Sequence, residues 1–92
     1  MSKVTALKWL RALRVFFQEL SWQHNSDKIL LQFYPEGGSY GVAAVSKWEI
    51  YKQLERLTKA VKQADDKIPD NLRIDLMTWY TAMHNPVERS NE

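Results

Sequence analysis

The chain has 92 residues, a formal net charge of +2, 45% hydrophobic residues and no cysteine. That length suits one domain with a modest core, and the absence of cysteine excludes disulfide frameworks and thiolate metal sites. With no such staples, and no apolar run near the ~20 residues that span a bilayer, the expectation is a cytoplasmic protein with no membrane partner.

Residues 3–20 have the spacing of a helix. Ala6, Trp9, Leu10, Leu13, Phe16, Phe17 and Leu20 share one broad face, and Lys8, Arg11, Arg14 and Gln18 fall opposite. Ser2 or Thr5 can cap it. Lys8, Arg11 and Arg14 interrupt the apolar pattern, which argues against a signal peptide. Ser21 to Lys28 is polar and turn-rich, which predicts a break, with Trp22 to His24 as a candidate short strand.

Lys28 to Tyr34 alternates as a strand, with Ile29, Leu31 and Phe33 on one face. Pro35-Glu36-Gly37-Gly38 signals a turn, and Ser39 to Val45 a second strand, making a β-hairpin. Gly41 suggests a bulge or a close backbone approach. Ala43 and Ala44 suggest a helix packed tightly over the second strand. The PEGGSYG stretch lacks the lysine of a phosphate-binding loop and does not open directly onto a helix.

Ser46 to Ala64 carries the clearest helix signal. Ser46 and Glu49 fit a capping box, and Ile50, Leu54, Leu57, Val61 and Ala64 make an apolar stripe. Lys52, Arg56, Lys59 and Gln63 lie on the other side. Glu55 and Lys59 have the spacing of a stabilising pair. Trp48 lies off the stripe in the first turn, either covering the hairpin end or serving as an exposed anchor.

Asp65-Asp66-Lys67 ends this helix, and Pro69 opens the next at or near its first position. Over 69–84, Leu72, Leu76, Trp79, Tyr80 and Met83 share a face, while Ile74, Met77 and Thr81 lie on the other side. Apolar residues on both sides mean either that the helix is wedged inside the domain or that Ile74 and Met77 meet a partner, a second copy included. His84-Asn85-Pro86 ends the helix. Residues 1–86 then form the globular domain and 87–92 a flexible tail.

Sites of chemistry are not signalled. His24 and His84 lack local metal-ligand spacing, the serines sit in turns and caps, and the paired aspartates lie in a polar helix junction. The expectation is no metal, no cofactor, no catalytic residue and no enzyme. Charge is the stronger lead. Residues 1–20 and 46–64 each carry +3, whereas residues 65–92 carry −3. If the two basic helices lie side by side, Lys8, Arg11, Arg14, Lys52, Arg56 and Lys59 form one positive surface for a partner or for nucleic acid.

The fold class expected is therefore α+β, in the order helix, antiparallel β-hairpin, helix, helix, with helices packed on one face of a small sheet. The function expected is a non-enzymatic binding protein: a regulator or inhibitor of a larger macromolecular complex, a nucleoprotein complex included. It is similar in type, though not in motif, to the small cysteine-free proteins that phages and mobile elements direct against host machinery, anti-CRISPR inhibitors among them. The alternative is direct DNA or RNA binding through the six basic residues.

Overall fold

A computed structural model describes residues 1–33 and 41–84. The order of elements is helix α1 (Lys3–Gln23), strands β1 (Lys28–Phe33) and β2 (Gly41–Ser46), helix α2 (Lys47–Gln63) and helix α3 (Asp70–His84). This is a mixed α+β fold, with helices packed on a two-stranded antiparallel hairpin.

Each helix begins where its local chemistry allows. Ser2 accepts the Thr5 amide at 3.1 Å and so caps α1. Ser46 accepts the Glu49 amide at 3.0 Å and caps α2. The Glu49 carboxylate accepts from Gln53 Nε2 at 3.1 Å, so serine is the working half of the expected box. Pro69 sits immediately before α3, and its carbonyl accepts the Arg73 amide at 2.9 Å.

α1 runs one turn further than expected. Trp22 lies in its last turn rather than in a short strand, and His24 closes the helix with its amide on the Leu20 carbonyl at 3.1 Å. Polar residues in Ser21–Gln23 do not break a helix whose hydrogen bonds are all local. The chain turns only at Asn25–Asp27.

The hairpin register pairs Lys28 with Ser46 through to Phe33 with Gly41, without an interruption. Gly41 is therefore not a bulge, and a Cβ there would meet nothing within 4 Å, so it does not mark a close approach either. Ala43 and Ala44 are exposed, which corrects the expectation of a helix tight over β2. α3 covers β1, where Phe33 meets Trp79 edge-on at 5.2 Å, and β2 lies outboard as the free strand of a sheet only two strands wide. Tyr34, the Pro35–Gly38 turn, the start of the second strand and the 87–92 tail lie outside the described residues.

The core is drawn from every helix and from β1. Leu10, Leu13, Leu31, Ile50, Leu54, Leu57, Val61, Leu76 and Met83 are all buried. No polar or charged residue is buried among the described residues. α1 and α2 run antiparallel, because the start of each meets the end of the other. Lys3 Nζ donates to the Lys62 and Ala64 carbonyls at 2.9 and 3.1 Å, and Lys47 Nζ to those of Ser21 and His24 at 3.1 and 2.6 Å. The chain start is also pinned to the α2–α3 link. Lys3 N donates to the Asp66 carbonyl at 2.7 Å and Ile68 N to that of Met1 at 3.0 Å.

Candidate binding surface

The two basic helices do lie side by side, but their six cations are not equivalent. Arg14 Nη2 donates across the helix pair to Thr58 Oγ1 at 2.9 Å and to Glu55 Oε2 at 3.3 Å. Glu55 therefore pairs with Arg14 of the neighbouring helix, not with Lys59 one turn along its own. Arg56 leans the other way. Its Nη2 donates to Asp75 Oδ2 on α3 at 2.6 Å, and its Nε to Gln53 Oε1 at 2.8 Å. Arg14 and Arg56 are thus braces between helices, and Arg56 belongs to the α2–α3 side.

Lys8, Arg11, Lys52 and Lys59 are exposed and have no ion-pair partner among the described residues. Lys62, absent from the expected set, joins them. Its side chain is exposed, three residues beyond Lys59 on the same side of the helix.

Aromatic side chains lie beside these cations. Trp48 is 66% exposed, so it does not cover the hairpin end. It stacks on Tyr51, with ring centres 5.6 Å apart and planes inclined at 22°. Tyr51 itself remains 44% exposed. Periodicity had offered a signal for Tyr51, since it follows Trp48 at the i, i+3 spacing that puts two side chains on one helix face. Helical spacing then sets Trp48, Lys52 and Lys59 along one line of α2.

α1 presents a second apolar stripe, on the side away from the core. Val4, Leu7 and Val15 are exposed, and Trp22 is 78% exposed. Val4, Arg11, Val15 and Trp22 follow at steps of seven, four and seven, which keeps them on one face. These residues were not among those singled out from the sequence. The inward stripe of α1 is the stronger periodic signal and masks this outward one.

The α3 pair is divided. Ile74 is half-buried, while Met77 is 39% exposed and has Arg73 Nη1 at 3.4 Å from its sulfur. Among the described residues, shallow depressions flank α3 on two sides. One, of about 350 Å³, lies between α2 and α3 and includes Arg56, Pro69, Leu72 and Asp75. Its charged groups, Arg56 and Asp75, are engaged with one another. The other, of about 280 Å³, lies where α1 ends beside α3 and includes Phe16, Glu19, Met83 and His84. The His84 ring packs against Phe16 at 5.2 Å and Tyr80 at 5.8 Å. No group of three or more metal-type ligands converges among the described residues. Nor is any helix among them long and apolar enough to cross a membrane.

No family model, curated protein or solved structure matches this chain.

Proposed function

We propose that this chain is a small, non-enzymatic cytoplasmic binding protein. It acts as a regulator or inhibitor by occupying a surface on a larger macromolecular complex. A nucleoprotein complex suits its charge, as it would for a phage or mobile-element protein of the anti-CRISPR type. The observation that carries this reading is the stacked, solvent-facing Trp48–Tyr51 pair set beside cations that lack ion-pair partners among the described residues. Two large rings left partly in water stabilise a small domain less than buried ones would, whereas interfaces are enriched in aromatic residues and arginine. Affinity capture from the cell that makes the protein, with bound protein and nucleic acid both identified, tests it. The expected result is a multi-subunit assembly in fixed ratio to the chain. Recovery of the chain alone would rule the reading out.

A second reading, direct DNA or RNA binding, is favoured by the exposed set Lys8, Arg11, Lys52 and Lys59, which has no ion-pair partner among the described residues. Phosphate contacts would give an affinity that falls steeply with salt. Retention on a nucleic-acid column at low salt, lost on Arg11→Glu with Lys59→Glu, is its signature. Passage of the wild type through that column at low salt would dismiss it.

A further inference from the structure

We infer that the paired outer faces of α1 and α2 form one docking surface for an acidic protein partner. Trp48 and Tyr51 are its apolar anchor, and Arg11, Lys52 and Lys59 its cations. This rests on the binding reading above and adds the surface and the partner's chemistry.

Charge comes first. Glu55 lies between Lys52 and Lys59 in the α2 sequence, and Arg14 from α1 pairs with it. Lys52, Lys59 and Lys62 are then left on α2 without a counter-charge among the described residues. Like charges one helical turn apart repel, and an acidic partner relieves that repulsion. Lys52 and Lys59 lie seven residues apart, or about 10 Å along the axis at ~1.5 Å per residue. Carboxylates two turns apart on a partner helix have the same separation.

The anchor comes second. Trp48 and Tyr51 already hold each other, so less rotamer freedom is lost when a partner covers them. Tryptophan, tyrosine and arginine are also the side chains that dominate binding energy when buried.

The aliphatic residues decide between partner classes. Val4, Leu7 and Val15 are exposed on the adjoining helix. Such side chains gain little against phosphate and sugar, whose interfaces are more polar, but gain area against an apolar protein surface. The partner is therefore a protein whose contact face carries both acidic and apolar side chains.

A synthetic 20-residue amphipathic helix tests this, with glutamates on one face and leucines on the other. It is titrated into the isotopically labelled full chain and followed by NMR. Shifts at the Trp48 indole, Tyr51, Lys52 and Lys59 are expected, with binding weakened at least tenfold by Trp48→Ala and by Lys52→Glu with Lys59→Glu. These side chains are exposed, so thermal unfolding should barely move, and Arg56→Gln should leave peptide affinity unchanged. Absence of these shifts at millimolar peptide overturns the inference. So does an oligothymidylate that shifts the same residues more strongly than the peptide. A native assembly captured equally well by a Trp48→Ala/Lys52→Glu/Lys59→Glu chain overturns this surface while leaving the binding function standing.

Discussion

Trp48 and Trp79 carry the same side chain to opposite ends. Trp79 packs edge-on against Phe33 and joins the core, whereas Trp48 stacks on Tyr51 and is mostly exposed. The energetic consequences differ accordingly. Leu57 is wholly buried at the centre of the α2 stripe, so Leu57→Ala removes buried methyl groups and leaves a cavity. The expected loss is about 2–5 kcal/mol, measured by urea unfolding. Trp48→Ala, at an exposed site, should stay within about 0.5 kcal/mol of the wild type. Equal costs for the two substitutions would mean that Leu57 is not buried or that Trp48 is not exposed. Leu57 was legible as core because its spacing repeats with Ile50, Leu54 and Val61. Trp48 left two outcomes open, since a residue off the stripe in a first turn can still be covered by another element.

At the scale of elements, α1 and α2 are joined by an exchange of caps. The first residue of each helix, Lys3 or Lys47, donates to carbonyls in the last turn of the other or just beyond it. Neither helix end has a glycine to close it, so the ammonium groups take up carbonyls that would otherwise depend on water. Positive charge also suits a helix C-terminus. Lys47→Met keeps most of the stem and removes the donor. It should cost about 1–2 kcal/mol in chemical unfolding, and more than Lys59→Met, whose ammonium is solvated. Lys3→Met acts at the other end of the pair, so the two effects should add. Equal results for Lys47→Met and Lys59→Met would show that the caps contribute nothing. Sequence spacing had no means of finding this exchange. The partners lie 23 to 61 residues apart, and a lysine at the start of a helix looks like any other surface lysine.

For the molecule as a whole, the layout of charge matters more than its total. Two basic helices lie together, and the braces Arg14–Glu55 and Arg56–Asp75 reach from α2 to α1 on one side and α3 on the other. This makes α2 the shared wall of the bundle and leaves Lys52, Lys59 and Lys62 outward. The alternative of a homodimer through α3 has a narrow base, because Ile74 is half-buried and Met77 lies against Arg73. Met77→Asp should therefore leave the sedimenting mass at that of the 10.8 kDa chain across a wide concentration range. A wild type that sediments as a dimer, and a substituted chain that does not, would restore that face as the contact.

The sequence alone determined the order of elements, the Ser46 cap and the apolar stripe of α2. Each of these depends on neighbours within about one or two helical turns, or on alternation within one strand. Only the tertiary structure decided which cations remained free, which tryptophans faced water and which strand of the hairpin was covered. Those outcomes turn on contacts between distant parts of the chain. Arg14 meets Glu55 across 41 positions and Arg56 meets Asp75 across 19. Before folding, six basic residues look alike; after it, two brace the bundle and four face outward.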